Sequence, residues 1–546
     1  MLRLQALLLC IASLFTLPFC GTSHVRLTVD GTPSGEPISN KVSNINIWDM
    51  GTMFYNAQND PEYDVFDFVE YVQLMQCSGG TLQRDLFHDP ADKSVLDDYD
   101  FSRLVENCRG ILALGAKPLL KLGSVPLKYS DDPLPGNFGM NVRPPRDYDV
   151  YYDYVYALAD TLVQAFGREE VVSWRFGVMT EYENDEWFYV GNKDPRKSLQ
   201  AYCKLYDYTV QALIDAIGPD VFVGAHAMAV TEGLWDETDF IRHVAHGINY
   251  ATGKIGTRIC YLSASFYDLC PGTFTSGKTL PQTIGDLREA AERYGLCNLL
   301  YGVDEGRILQ SAPGKDSEAL ISRTVGHTWQ AAYDARLWTQ TVRSGIDWFS
   351  SWGYLSGGLH GYPTISYHVA TAVHRMTGER QLGMTSTTEP LQKLTGIEVD
   401  GCASADPDTG TTHVLVYNFR NNLAFDKNAD VDLTLSLPQF AGQTVTLREW
   451  RIDDDCNYFD EWQQDRKTYN ITDDCFSWSP DDPWLDSTGT LSDPDARALY
   501  MEKLRDKYAS CAVLTPTEQQ IAVPADGTLI LRRTLPPSGV AFLEIG

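Results

Sequence analysis

Positive charge is in short supply in this chain. Its 546 residues carry 44 Lys and Arg against 73 Asp and Glu, a net charge of −29. That balance argues against nucleic acid or an anionic membrane surface as a partner. Long apolar runs are missing as well. Beyond the first residues no stretch is long enough for a helical membrane span, so membrane insertion is not expected. Internal repeats and low-complexity tracts are absent, and so are HExxH, GxSxG and CxxC motifs. Those absences weaken protease, esterase and zinc-site readings, and nothing calls for a metal or a cofactor.

The chain opens with an export-type leader over residues 1–22. Arg3 supplies the positive start, Leu4 to Phe15 the apolar stretch, and Pro18 breaks the helix before Cys20. A secreted, periplasmic or otherwise extracytoplasmic location is the resulting expectation, with a lipid anchor at Cys20 disfavoured by its flanking residues. Ten of the 12 cysteines lie beyond this leader, an even number that suits disulfides in an oxidising compartment. Cys260/Cys270 and Cys456/Cys475 are the closest pairs in sequence. Hydrophobic residues at 43% suffice for a sizeable core, and 12 Trp with 29 Tyr leave aromatic rings to spare for sugar faces.

From about residue 44 to 376 strand-like and helix-like patterns alternate eight times. The strand-like runs are 44–48, 80–87, 117–122, 171–179, 221–226, 259–266, 298–303 and 346–352. Among the helical stretches, Tyr151, Tyr154, Val155, Leu158, Ala159 and Leu162 form one apolar stripe, and residues 198–217 stop at Gly218-Pro219. This is the rhythm of a (β/α)8 TIM barrel, an α/β fold. After residue 382 the pattern changes to antiparallel-like strands at 414–419, 431–437, 444–451, 527–533 and 540–545, which predicts an all-β sandwich domain. The barrel is therefore assigned to 40–380 and the sandwich to 383–546, with an insertion at about 453–510 that carries the sequon Asn470-Ile-Thr472.

Two glutamates close strand-like runs. Glu181 ends Val171-Val-Ser-Trp-Arg-Phe-Gly-Val-Met-Thr-Glu181, and Glu305 ends Asn298-Leu-Leu-Tyr-Gly-Val-Asp-Glu305. Carboxylates at the C-terminal ends of barrel strands face one pocket. A pair of them is the minimum equipment for cleaving a glycosidic bond. Glu183, two residues on, is a rival to Glu181. Other residues at strand ends could line the same pocket: Arg84, His226, Tyr267 as a hydrogen-bond donor to Glu305, and Trp352 as a stacking platform. Each has a plainer alternative in an ion pair, a core contact or an ordinary loop position.

Two sharper-looking patterns fail on context. Gly272-Thr-Phe-Thr-Ser-Gly277-Lys-Thr279 matches a phosphate loop, yet Pro281 falls in the first turn of the helix it should feed. Asp453-Asp-Asp455-Cys-Asn457 starts like a calcium loop, but Tyr458 stands where glycine is required.

Several stretches together resemble glycoside hydrolase family 39, the β-xylosidase and α-L-iduronidase family of a retaining (β/α)8 clan. Lys117-Pro-Leu-Leu-Lys-Leu-Gly-Ser-Val-Pro126 is similar to the family's third-strand KPxxELGxxP, and Trp174 to Asn184 to its fourth-strand segment. Tyr301-Gly-Val-Asp-Glu305 is similar to its Y-N-D-E, and Arg451-Ile-Asp-Asp-Asp-Cys-Asn457 with Trp462 to its RIDxxHxN…W. The resemblance implies a retaining O-glycoside hydrolase with Glu181 as acid/base and Glu305 as nucleophile, acting on a carbohydrate substrate. It also implies that residues 24–34 join the sandwich. Thr180 stands where the clan has the Asn that binds the sugar 2-hydroxyl, Tyr182 where it has Pro, and Lys121 where the third strand has Glu. An endo-acting glycanase of another family in the clan and a non-catalytic carbohydrate-binding barrel remain open alternatives, as does the oligomeric state.

Overall fold

The computed structural model describes residues 23–47, 68–75, 77–136, 139–228, 232–268, 278–308, 327–351, 364–477, 490–491 and 493–546. The leader at 1–22, Cys270 and Trp352 lie outside the described residues.

Eight parallel strands close a barrel in chain order. They are β2 (Asn44–Ile47), β3 (Tyr71–Leu74), β4 (Lys117–Leu122), β5 (Arg175–Val178), β6 (Phe222–Ala227), β7 (Tyr261–Asp268), β8 (Leu300–Ile308) and β9 (Trp348–Ser351). The helices between them follow their apolar stripes. In the helix Tyr148–Phe166 the buried residues are the six of the stripe, and Asp147 caps its start by accepting from the amides of Asp149 and Val150. The helix Pro195–Ile217 ends at Gly218, whose φ of +129° lies outside the helical region.

One strand differs from the sequence reading. The second barrel strand is Tyr71–Leu74, not 80–87. Gly79 and Gly80 both have φ +105°, which no strand residue adopts. Behind them the carboxyl of Asp85 accepts from the amides of Gly80 (2.6 Å) and Leu127 (2.8 Å), so 80–87 is a pinned loop. Gln73 disguises the true strand by interrupting its apolar run.

The barrel interior is layered, and it is more polar than the usual aliphatic filling. At one level the Arg175 guanidinium lies 3.9 Å from the centre of the Tyr71 ring and 4.8 Å from that of Trp348. Above it Lys121 from β4 pairs with Asp304 from β8, both side chains fully buried. Gly177 makes room for the pair, since a Cβ there would sit 2.7 Å from Lys121 Cδ. Trp348 Nε1 donates to the other carboxylate oxygen of Asp304 at 2.8 Å.

The second domain is one mixed sheet of nine strands. It contains β1 (Ser23–Pro37), β10 (Arg380–Ser386), β11 (Glu398–Ala405), β12 (Thr412–Phe419), β13 (Ala429–Ser436), β14 (Thr444–Ile452), β17 (Thr517–Ala522), β18 (Thr528–Leu535) and β19 (Val540–Ile545). The order is β17-β14-β19-β12-β11-β10-β1-β13-β18. Near its two ends Arg533 on β18 donates to Glu449 on β14 at 2.7 Å, so the sheet curls into a sandwich over its own core. The N-terminal strand β1 lies inside this sheet, parallel to β13 with Val25 opposite Val431, and antiparallel to β10. Strand β12 is buried on both faces: Val414 and Val416 fill the sandwich, while Leu415, Tyr417 and Phe419 join the barrel core.

A short strand pair, β15 (Phe476–Ser477) with β16 (Thr490–Leu491), belongs to the insertion, whose Tyr458, Trp462 and Tyr508 form a core of their own. Closeness in sequence does not make Cys456 and Cys475 a bridge. Cys456 is a buried free thiol turned onto the carbonyls of Arg451 and Asp453, within its own tight turn. Cys77, Cys108, Cys203, Cys260, Cys297, Cys402 and Cys511 are free thiols too among the described residues.

The buried pair makes a testable demand. Lys121→Met strands the Asp304 carboxylate without its cation and should cost about 3–5 kcal/mol, seen as a lower thermal midpoint. The double variant Lys121→Met/Asp304→Asn should melt above the single one. A single variant that melts like wild type would remove the pair from its structural role.

Candidate functional site

The barrel mouth is built by the turn after β5 and by the bulged strand β8. Past the end of β5 the chain bends sharply, with φ of +64° at Met179 and +45° at Glu181, a region that non-glycine residues seldom enter. Such positions cost energy and cluster where a side chain must be aimed. The turn delivers the Glu181 carboxyl into a nest of donors. Oε1 accepts from Ser265 Oγ at 2.7 Å, and Oε2 from Asn184 Nδ2 at 2.9 Å and Trp187 Nε1 at 3.1 Å. Burial pushes this carboxyl above its usual range; the three hydrogen bonds pull it back, and the charge of Glu186 adds to the rise.

Glu305 owes its direction to an extra residue. Along β7 and β8, Ala264 pairs with Val303 but Ser265 pairs with Glu305, so Asp304 is the odd residue of a bulge. Side chains alternate in a strand, and without the bulge Asp304 and Glu305 would face opposite sides. With it both acids face inward, Asp304 to Lys121 and Glu305 to the mouth. The freed carbonyl of Asp304 accepts from Asn46 Nδ2 (2.7 Å) and Gln73 Nε2 (2.9 Å). Burial alone would raise the Asp304 carboxyl. The charge of Lys121, with hydrogen bonds from Lys121 and Ser263, outweighs it and holds the group below its ordinary range.

Strand β7 ties the two glutamates together. Ser265 is the register partner of Glu305 and donates to Glu181, while Tyr267, two residues on and on the same face, donates its hydroxyl to Glu305 Oε2 at 3.0 Å. His226, at the end of β6, is fully buried with Nε2 2.8 Å from Ser265 Oγ. Burial first, and then the charge of Lys121, hold its imidazole well below the usual range. Thr180 is buried, and its hydroxyl has no hydrogen-bond partner among the described residues. Arg84 is not at a strand end. It lies half-buried in the pinned loop after β3, its amide donating to the Thr81 carbonyl at 3.0 Å. Ser265, Asn184 and Trp187 are absent from the sequence reading. The first was within reach, because Ser265 and Tyr267 share a face by the period of two in a strand.

Glu183, the rival carboxylate, has another task. It is buried, its Oε1 accepts from the Met228 amide at 2.7 Å, and its carbonyl accepts from the Leu234 amide at 2.8 Å. It thereby anchors the segment after β6.

Fold and site together define a (β/α)8 barrel with two acids at its mouth and an appended β-domain. Residues 80–294 match the model of the glycosyl hydrolases family 39. A β-xylosidase of Geobacillus stearothermophilus is 30% identical over 148 residues, covering 27% of this chain and 28% of that enzyme. The chain therefore aligns with little more than a quarter of the relative's length. A monomeric β-xylosidase from Caulobacter crescentus CB15 shares the fold with a TM-score of 0.62 at 16% identity, over 96% of this chain and 99% of that one. The bacterial orthologue of human α-L-iduronidase does so at 0.63 and 15%, over 96% and 84%. Over residues 80–294 the chain is thus similar to the glycosyl hydrolases family 39.

Burial raises the Glu183 carboxyl to about 8, from an unfolded value near ~4.3. Its contribution to stability is thus complete below the unfolded value and is lost as pH climbs through about 8. Glu183→Gln keeps the acceptor for Met228 but cannot ionise. Its thermal midpoint should gain on wild type steadily from pH 5 to pH 8.5. A constant gap would mean that Glu183 does not titrate in that window.

Proposed function

We propose that the protein is a retaining β-glycosidase acting on β-xyloside-like oligosaccharides, with Glu305 as nucleophile and Glu181 as acid/base. The observation that carries this reading is the double role of Ser265, which neighbours Glu305 across β7–β8 and hydrogen-bonds Glu181. Glu305 attacks the anomeric carbon while Glu181 gives its proton to the departing oxygen. Water then releases the glycosyl ester, with Glu181 taking the proton back. Retention asks for carboxyl groups about 5–5.5 Å apart. Burial raises the Glu181 carboxyl, and the Tyr267 hydroxyl donates to Glu305. β-Xylosides are the first substrates to try because the matched relatives are β-xylosidases.

The test is hydrolysis of aryl β-D-xylopyranosides and β-xylo-oligosaccharides, with product anomer followed by NMR. Glu305→Ala should abolish turnover. Glu181→Ala should lose about 10²–10⁴-fold on substrates with poor leaving groups and much less on dinitrophenyl glycosides, where added azide should restore turnover. Equal losses on both substrates, with no response to azide, would take the acid/base role from Glu181.

Export is proposed on the leader-like composition of residues 1–22 alone. Protein recovered outside the cytoplasm should begin near Ser23 by N-terminal sequencing, and an intact Met1 would overturn this.

A further inference from the structure

Beneath Glu181 lie two residues to which the reaction above gives no part. Ser265 Oγ is 2.7 Å from Glu181 Oε1 and 2.8 Å from His226 Nε2. A serine hydroxyl has one proton to give. With that proton on the bond to an ionised Glu181, Ser265 can meet His226 only as an acceptor. His226 must then carry its proton on Nε2, which leaves Nδ1 bare. Nδ1 is buried and has no hydrogen-bond partner among the described residues. A bare nitrogen there is tolerable, whereas a buried N–H without an acceptor is rare. The geometry and the tautomer therefore agree on one direction of donation.

The carboxyl's two oxygens are occupied unequally. Oε2 accepts from both Asn184 and Trp187, which fills its two lone-pair directions, while Oε1 accepts only from Ser265 among the described residues. We propose that Ser265 and His226 are positioning residues for Glu181. They form a one-way donor chain, His226 Nε2–H to Ser265 Oγ–H to Glu181 Oε1, which leaves the second lone pair of Oε1 as the seat of the exchanged proton. This rests on the acid/base reading of Glu181.

In the first half-reaction the Oε1 proton passes to the leaving-group oxygen as its bond to the anomeric carbon breaks and the bond to Glu305 forms. In the second, water adds to that carbon, the ester bond to Glu305 breaks, and the proton of water arrives on Oε1. Ser265 and His226 keep their protons throughout. The titratable and charged groups facing this chain are few among the described residues. Glu183 and Glu186 lie on the Glu181 loop, Lys121 on β4 and Asp304 on β8 act on His226, and Glu305 shares the mouth.

A donor held on Oε1 favours the ionised carboxylate, so its loss must move the titration upward. The free enzyme is labelled with ¹³C in its glutamate carboxyls, and Glu181 is assigned by the signal lost in Glu181→Gln. Ser265→Ala should raise the midpoint of Glu181 by about one to two pH units. It should also move the basic limb of kcat/KM for 4-nitrophenyl β-D-xylopyranoside by the same amount. His226→Leu should shift it in the same direction, His226→Gln (which keeps a donor) by less, and His226→Leu should add nothing in the Ser265→Ala background. If Ser265→Ala does not fold, Ser265→Cys, a weaker donor of similar size, should give a smaller rise.

An unmoved midpoint in a folded Ser265 variant overturns the proposal. So does a His226→Leu shift that persists in full without the Ser265 hydroxyl. The titration needs no turnover. A midpoint that moves while Glu181→Ala shows no dependence on the leaving group leaves the donor chain standing and removes the acid/base reading; the reverse pattern removes the chain alone.

Discussion

The buried pair of Lys121 and Asp304 is the constraint on which the geometry of the barrel mouth depends. Two charges out of water are tolerable only when they are paired and their remaining valences filled. Here the filling comes from around the barrel. Asn46 on β2 and Gln73 on β3 take the Asp304 carbonyl, while Trp348 on β9 and Ser263 on β7 complete its carboxylate beside Lys121. The bulge that makes Asp304 inward-facing is the same irregularity that turns Glu305 inward. Strand β8 thus presents two successive acids to the interior, the lower one locked into structure and the upper one left for chemistry. The lower acid also sets the electrostatics above it. Asp304 is neutralised by Lys121.

The two glutamates are held by different means. Glu305 belongs to a strand, and its aim comes from ladder register. Glu181 belongs to a turn with positive φ at two residues, and its aim comes from three donors on its carboxyl. That difference suits the proposed roles. A nucleophile must meet one carbon along one line, which favours a rigid strand. An acid/base must serve a leaving group and later a water at the same oxygen, which favours a carboxyl fixed by hydrogen bonds of graded strength. Strand β7 makes the pair a unit, with Ser265 and Tyr267 on one face reaching one glutamate each.

Much of this is legible in the sequence wherever a period can be read. The stripe of the helix Tyr148–Phe166 appears as written, whereas Glu305 lies inside β8 and Glu181 lies past the end of β5. The features that escape such a reading depend on contacts that no local pattern announces. Strand β3 is hard to see because Gln73 looks like a break in an apolar run, when its amide is spent on a carbonyl across the barrel. Residues 80–87 look like a strand because Gly80 gives no sign of its positive φ in a composition. The bulge at Asp304 cannot be read from Val303-Asp304-Glu305, since pairing register is a property of two strands. The cysteine count misleads because parity says nothing of where thiols point, and Cys456 points at its own turn. Lys121 is visible as a departure from the family pattern, but its partner is hidden until the barrel closes.

The departures after the fourth strand explain one another in the same way. A proline after the acid/base would stiffen the chain and restrict the residue before it. Tyr182 imposes no such restriction, and Glu181 before it adopts φ +45°. Order has to come from packing instead. The Tyr182 ring stacks on Tyr202 with centroids 4.6 Å apart and meets Trp235 and Phe240 in one buried cluster. Tyr202 in turn donates to the Val178 carbonyl at the end of β5 at 3.0 Å. Aromatic burial, worth several kcal/mol in such a cluster (about 0.5–1.5 kcal/mol per ring pair beyond the area buried), holds the turn that a proline ring holds in the family pattern. The loop has exchanged covalent stiffness for tertiary stiffness. The aim of Glu181 therefore depends on helix Pro195–Ile217 staying seated, and a change as remote as Tyr202 acts on Glu181 through the backbone it carries.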